Sequence, residues 1–261
     1  MNSILLLAQK EFENSKSDIF PFIFEGHQYW LKKARETKPD ILQYFFYKFF
    51  PFELLIPPSR KNKDEALKFE STKLGELHKL GINVPNIVVK TDKYFVLEDS
   101  GLSINTILKD KNISSDDFYF YVDLVIQELA KIHGFGCFHG GTQLRNLTFK
   151  DNKIFFIDFE ESFDKDVDIK TLQYRDFLLF LLSFTKIKEL TFRIDYERII
   201  NRYLELSKNF QFKTKLIAFS KKLSFFLCLF KKDFIKNRVG SDVKYFFELI
   251  EILISMEKNA K

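Results

Sequence analysis

A predicted β-hairpin framed by two polar side chains constrains the fold more than any other feature of the sequence. Two short apolar runs, LTF and IFFI, lie on either side of the turn-forming pair Asp151-Asn152. Asn146 precedes the hairpin and Asp158 follows it, so both return to the same end of the paired strands. Carboxylate and amide oxygens suit magnesium. The hairpin therefore predicts a metal site at Asn146 and Asp158, and the alternative is that they serve as a turn residue and a cap.

The patterns divide the rest of the chain into a strand-rich and a helix-rich part. Residues 1–100 carry two strand pairs, two helices and an aromatic insert over 41–58. Residues 101–261 are helical apart from the loop and hairpin over 138–160. With 46% hydrophobic residues among 261, the chain can bury a sizeable core. An α+β fold of two unequal parts is expected.

The stretch LAKIHGFGCFHGGTQLRN, followed by FIDFE, resembles the helix, catalytic loop and metal-binding strand of the protein-kinase-like fold. It is similar to the compact bacterial branch of that fold: the lipopolysaccharide core-sugar kinases, the Rio kinases and the small kinase of the KEOPS assembly. The matching positions are Leu129, His133, Gly136, His139, Gly140, Asn146, Ile157, Asp158 and Phe159. The resemblance extends over about residues 20–185. It implies a small β-rich N-lobe over 1–100 and a helical C-lobe over 101–261.

The resemblance also implies a nucleotide site with ATP and Mg as cofactors. Lys32 would hold the phosphates, clamped by Glu70 on the following helix, although an exposed helix carboxylate is the alternative for Glu70. Glu98 and Asp99 lie where adenine meets hinge amides in such kinases. Asn146 and Asp158 would bind the metal.

Strand alternation bears on which lysine enters the cleft. In YWLK, Tyr29 and Leu31 point to one face, which places Trp30 and Lys32 on the other. Lys33 is the competing candidate. If Lys33 entered the cleft, the same alternation would place Lys32 among the core residues. Trp30 stands where most such kinases have a small residue, so it either stacks on the base or blocks it.

The main departure from the resemblance is Gly141, which replaces the aspartate that orients the acceptor hydroxyl. Three residues are candidates to compensate: Gln143 would orient a hydroxyl, and Glu160 or Glu161 would accept a proton, with Glu160 preferred. Glu160 is also either a further magnesium ligand or a solvated charge. Arg145 either faces the cleft and holds a phosphate or carboxylate, or pairs with an acidic neighbour.

Three buried polar residues are expected to have structural roles. The resemblance implies that His133 and His139 are struts and not metal ligands. It also implies that Asp176 braces the catalytic loop through backbone groups.

These features predict an ATP- and Mg-dependent phosphotransferase that acts on a hydroxyl of a sugar or lipid-linked sugar. The alternatives are a pseudokinase and a KEOPS-like nucleotide-binding subunit that acts through a protein partner. Residues 44–56, within the aromatic insert, are either packed core or a patch for a partner or a membrane surface. The net charge of +5 is typical of a solvated surface, so nucleic acid is not expected as a direct partner.

The expected location is the cytoplasm. Cys137 and Cys228 form no disulfide framework, which favours a reducing compartment. The first residues lack the basic start of a secretory signal. Peripheral attachment to the inner face of the membrane is the further expectation if residues 44–56 form an interfacial patch.

Overall fold

The computed structural model of the chain describes residues 3–38, 47–48, 52–230 and 241–259. Its first layer is an antiparallel sheet of four strands in the order β1-β2-β4-β3. The strands are β1 (Ile19–Phe24), β2 (His27–Lys33), β3 (Ile87–Lys90) and β4 (Tyr94–Glu98). Helix α1 (Ser3–Asn14) packs on the outer face of this sheet.

The two faces of β2 have different environments. Leu31 and Tyr29 belong to a small apolar cluster with Ile4 and Ala8 of α1. The alternate side chain, Trp30, packs toward the main core. Because strand side chains alternate with a period of two, Lys32 shares the inner face with Trp30.

Helix α2 (Lys63–Lys79) covers the inner side of the sheet. It begins at Lys63, directly after the N-cap residue Asn62. The cause is a capping box: the Asn62 side chain accepts from the Glu65 amide, and the Glu65 side chain accepts from the Asn62 amide. The helix buries Glu70 together with Leu67 and Leu74.

A second sheet contains the predicted hairpin. Strand β5 (Leu102–Ser103) pairs with β6 (Leu147–Lys150), which pairs with β7 (Lys153–Phe156). Asp151 and Asn152 both adopt positive φ, at 49° and 58°, as a two-residue hairpin turn requires. A 3-10 turn over Leu144–Asn146 leads into β6.

Helices form the rest of the described chain. They are α3 (Ile104–Leu108), α4 (Ser115–Gly134), α5 (Ile169–Phe184), α6 (Tyr196–Ser207), α7 (Gln211–Phe230) and α8 (Ser241–Asn259). Helix α5 is buried on nearly all sides, so it forms the centre of the helical part. The lobe boundary at residue 100 stays a prediction.

The aromatic insert lies largely outside the described residues. At its described end, Phe52 and Ile56 are buried. The Phe52 ring meets the Phe219 ring edge-on, with centroids 5.8 Å apart. This end of the insert is therefore packed into the core. In the described part of the chain, no helix is long and apolar enough to cross a bilayer.

Candidate active site

A cavity of about 640 Å³ opens between the four-stranded sheet and the hairpin. This volume is within the range of small-molecule and cofactor sites. Its lining includes Trp30, Lys32, Glu70, Asn146, Asp158 and Glu160. Strand β2, helix α2 and the hairpin thus bring together six of the residues that the sequence singled out.

The Lys32 ammonium lies between two carboxylates at the back of this cavity. Its Nζ is 2.7 Å from Glu70 Oε1 and 2.6 Å from Asp158 Oδ1. Burial lowers the pKa of Lys32, but Glu70 and Asp158 raise it more, so the lysine remains charged. The exposed-helix alternative for Glu70 does not apply, because Glu70 is buried.

Lys33 points to the other side of the sheet. Its Nζ donates to the carbonyl oxygens of Phe12, at 2.9 Å, and Ser15, at 2.5 Å. Both carbonyls lie at the C-terminal end of α1, where the helix leaves acceptors unpaired and a cation is favourable. Lys33 therefore holds α1 against the sheet.

The hairpin places Asn146 and Asp158 side by side at its open end. The Ile157 amide donates to the Asn146 carbonyl at 3.0 Å, which joins the two segments. The Asn146 Nδ2 donates to the Gly141 carbonyl at 2.8 Å, so its amide oxygen is not engaged by that contact. Asp158 has a φ of 68°, a left-handed conformation that is uncommon for residues other than glycine but more frequent for Asp and Asn than for most.

Two cationic side chains of the protein contact the Glu160 carboxylate. Arg35 Nη2 lies 2.6 Å and 2.7 Å from its two carboxylate oxygens, and Lys32 Nζ lies 3.8 Å away. The Arg35 guanidinium thus engages both carboxylate oxygens of Glu160 in this structure. The role of Glu160 as the base stays a prediction.

Glu161 lies next to the position of the missing aspartate. A Cβ built on Gly141 would be 3.9 Å from Glu161 Oε1 and 3.4 Å from Asn146 Nδ2. Arg175 holds the same carboxylate, with Nη2 3.1 Å from Oε2. Burial raises the pKa of Glu161, and Arg175 only partly opposes this.

The predicted hinge is organised around the Asp99 carboxylate. Its Oδ1 accepts from Gln28 Nε2 at 2.9 Å and from the Trp30 indole at 3.0 Å. The Asp99 amide donates to the Gln28 carbonyl, and the Glu98 amide donates to the Asn86 carbonyl. Both amides that were predicted to meet adenine are thus engaged within the protein, while the Trp30 ring lines the cavity.

Asp176 braces the catalytic loop from α5. Its carboxylate accepts from the His139 amide at 2.6 Å and from the Gly140 amide at 2.8 Å. His133 Nε2 lies 3.4 Å from the same carboxylate. The side chains of Asp176, His133 and His139 are all buried, which fits a structural role for the two histidines.

His139 is held in its neutral form by its hydrogen bonds. Its Nδ1 accepts from the Gly141 amide at 3.0 Å, so Nε2 carries the hydrogen and donates to the Ile157 carbonyl at 2.9 Å. Burial lowers the pKa of His139 to about 4. Protonation would break the Nδ1 contact.

Stability should therefore fall as the pH drops from about 6.5, where an unfolded histidine begins to bind a proton, to about 4. Over that window His139 contributes up to about 1.4 kcal/mol per pH unit. Urea unfolding at several pH values should show a shallower slope for His139→Gln. The exposed His27 provides the control, because His27→Gln should keep the wild-type slope. Equal slopes in the His139 variant and wild type would contradict the assignment.

Lys73, which is not among the predicted site residues, is a buried-amine neighbour of the loop before β6. Its Nζ donates to the His139 carbonyl at 3.3 Å and lies 4.0 Å from the centre of the Phe138 ring. Burial lowers the pKa of Lys73 to about 8. The sequence could have indicated Lys73, because it follows Glu70 by one helical turn and lies on the same face of α2.

Gln143 and Arg145 lie at a second, smaller cavity of about 260 Å³, which also has Lys186 and Ser183 in its wall. Arg145 is exposed and lines the main cavity as well, whereas Gln143 lines only the smaller one of the two. Among the described contacts, no acidic side chain pairs with Arg145. This favours the interpretation in which Arg145 faces the cleft.

The donor set for a metal at the hairpin is small. Among the described residues, no group of three His, Cys, Asp or Glu side chains is arranged to hold a metal ion. An amide and a carboxylate remain, Asn146 and Asp158, and magnesium commonly takes few protein ligands and completes its shell with phosphates and water. These two residues fit a metal that arrives with a phosphate ligand.

Comparisons with known proteins find similarity to a curated protein and to solved structures. No family model matches the chain. An uncharacterized protein of Haemophilus influenzae is 30% identical over 142 residues, which is 54% of this chain and 52% of that protein. The chain thus spans about half the length of the curated relative it matches.

Among solved structures, WaaP in complex with acyl carrier protein matches with a TM-score of 0.50 and 12% identity, over 82% of this chain and 89% of that one. A MAP kinase of Leishmania major matches with a TM-score of 0.41 and 16% identity, over 77% and 65%. At 12% identity the likeness to WaaP concerns the fold alone. It confirms the prediction that the chain has a protein-kinase-like fold, with a small antiparallel sheet and a helical part.

Proposed function

We propose that this protein is an ATP- and Mg-dependent phosphotransferase. The observation that carries the proposal is the Lys32 ammonium, held between Glu70 and Asp158 at the back of a cavity of about 640 Å³. Burying the Lys32 and Glu70 charges beside the half-buried Asp158 is costly, and replacing buried charges with apolar residues is often neutral or stabilising. A role in binding a charged ligand explains their joint presence better than stability does.

Each residue of the site has a task in this proposal. Lys32, positioned by Glu70, binds the phosphates of the nucleotide. Asn146 and Asp158 hold magnesium, which neutralises the charge of the phosphates when bound. Asp158 is paired with Lys32 in this structure, and burial alone would raise its pKa, but Lys32 lowers it. The carboxylate is therefore ionised and ready for a cation.

The acceptor in this proposal is a hydroxyl of a sugar or lipid-linked sugar. Arg145 is exposed at the mouth of the cavity and extends into the second cavity beside Gln143. A guanidinium binds phosphate or carboxylate groups in a fork. An acceptor that carries such an anionic group next to its hydroxyl suits this arrangement.

Magnesium and ATP together should raise the thermal midpoint of the protein, because a ligand that binds only the folded state stabilises it by mass action. At a concentration 100 times its Kd the gain is about 2.7 kcal/mol. Differential scanning fluorimetry with ATP, with and without magnesium, measures this shift. Asp158→Ala should remove the extra shift that magnesium gives.

The matched control is Asp92→Ala, an exposed aspartate in the β3–β4 turn, which should keep the magnesium effect. No shift for wild type at millimolar Mg-ATP would rule out the phosphotransferase and any role as a nucleotide-binding subunit.

A pseudokinase is the second candidate, and Gly141 is the observation that favours it. The loop lacks its usual aspartate, and the hinge amides of Glu98 and Asp99 already donate to the Asn86 and Gln28 carbonyls. Such a protein would act through a partner, as a KEOPS-like subunit does. Nucleotide binding without phosphate transfer to any acceptor would favour it. WaaP was solved with acyl carrier protein, so a carrier protein is one partner class to test.

A surface over residues 44–56 for a partner or a membrane stays a proposal. Its described end is buried through Phe52 and Ile56, so only the part before Phe52 is a candidate contact region.

A further inference from the structure

The position left by the missing loop aspartate has a carboxylate beside it from another segment. Glu161 Oε1 is 3.9 Å from the point where a Cβ on Gly141 would lie. An aspartate at 141 would extend from that Cβ, so its carboxylate and that of Glu161 would occupy neighbouring positions. Gly141 and Glu161, which come from separate segments, are thus neighbours in space.

Several contacts hold Glu161 against the loop. The Arg175 side chain is 5% exposed; it places Nη2 3.1 Å from Glu161 Oε2 and donates Nη1 to the Gly140 carbonyl. Gly140 has a φ of 104°, and a Cβ there would lie only 3.0 Å from the Glu161 Cβ. A glycine at 140 is therefore needed for Glu161 to approach this closely.

The two oxygens of Glu161 differ in their surroundings. Oε2 is buried beside Arg175, whereas Oε1 is the oxygen near Gly141. About 30% of the side chain remains exposed. Oε2 is therefore held by an ion pair and not by a hydrogen bond, and Oε1 lies near Gly141.

We propose that Glu161 replaces the missing loop aspartate and accepts the proton of the acceptor hydroxyl. This inference rests on the proposed function. In the step, the hydroxyl oxygen forms a bond to the γ-phosphorus of a nucleoside triphosphate. The bond from that phosphorus to its bridging oxygen breaks, and the electron pair leaves with the nucleoside diphosphate. The hydroxyl proton passes to Glu161 Oε1. Arg175 is a positioning residue, since it acts through Glu161.

Single-turnover phosphate release from Mg-ATP, with water as the acceptor, tests the proposal. Glu161→Gln should slow release about 100-fold, the lower end of what a positioned base contributes, with nucleotide affinity nearly unchanged. Glu161→Asp keeps the charge but withdraws it by one methylene, and should slow release less. Glu128→Gln is the matched control, because Glu128 lies on α4 beside Lys131. This variant should release phosphate at the wild-type rate.

A relocation experiment separates a catalytic from a structural role. Gly141→Asp introduced into Glu161→Gln should recover most of the lost rate, because a Cβ at 141 has room 3.4 Å from its nearest neighbour. In the wild-type background, Gly141→Asp should give no gain, since two carboxylates would compete for one place.

Glu161→Gln with the wild-type rate, or a double variant as slow as the single one, would overturn the role of Glu161 while leaving the proposed function intact. Wild type that binds Mg-ATP but releases no phosphate to water or to any sugar acceptor would overturn both.

Discussion

Lys32→Met is expected to weaken Mg-ATP binding by about 2–3 kcal/mol, the typical worth of hydrogen bonds from a charged group, or roughly 30- to 150-fold. The variant should also lose about 3–5 kcal/mol of folding stability, because Glu70 would remain buried without its cation. Isothermal titration measures the first effect and urea unfolding the second.

Combining Lys32→Met with Glu70→Leu separates these two effects. The double variant removes the buried pair and should recover most of the stability, yet it should bind Mg-ATP as poorly as the single variant. Lys33→Met is the matched control. The hydrogen bonds of the Lys33 ammonium go to carbonyl oxygens at the end of α1. Equal and small effects on binding from Lys32→Met and Lys33→Met would show that the phosphates bind elsewhere.

Asp176→Ala should have an equally large effect on folding stability. It leaves the buried amides of His139 and Gly140 without an acceptor, and each orphaned donor costs about 1–3 kcal/mol. We expect a total loss of about 3–5 kcal/mol in urea unfolding and a matching fall in thermal midpoint.

Asp123→Ala is the control for loss of an aspartate. Asp123 pairs with Arg198 at 3.7 Å on the surface, and such pairs contribute about 0–1 kcal/mol. Asp176→Asn keeps one oxygen acceptor and should be intermediate. An Asp176→Ala variant within about 1 kcal/mol of wild type would mean that the loop holds its shape without this brace.

Local patterns in the sequence determined much of the frame of this molecule. The period of two in YWLK separated Lys32 from Lys33, because neighbouring side chains of a strand must point to opposite faces. The Asp151-Asn152 turn between apolar runs predicted the hairpin, and antiparallel pairing then required Asn146 and Asp158 to meet at its open end. These are short-range rules, so a single sequence is enough to apply them.

Only the tertiary structure shows that Glu160 and Glu161 have different surroundings. The two are adjacent in sequence and chemically identical, but the backbone after Asp158, with its positive φ, turns one toward Arg35 and the other toward Gly141. Arg35 follows β2, far from Glu160 in the chain, whereas Arg175 lies on the next helix, α5, and no local propensity reports where these two side chains will lie. The same is true of Asp99, whose carboxylate is bound by Gln28 and Trp30 across the sheet. Contacts between distant segments depend on packing, and the path of the backbone sets which carboxylate reaches the loop.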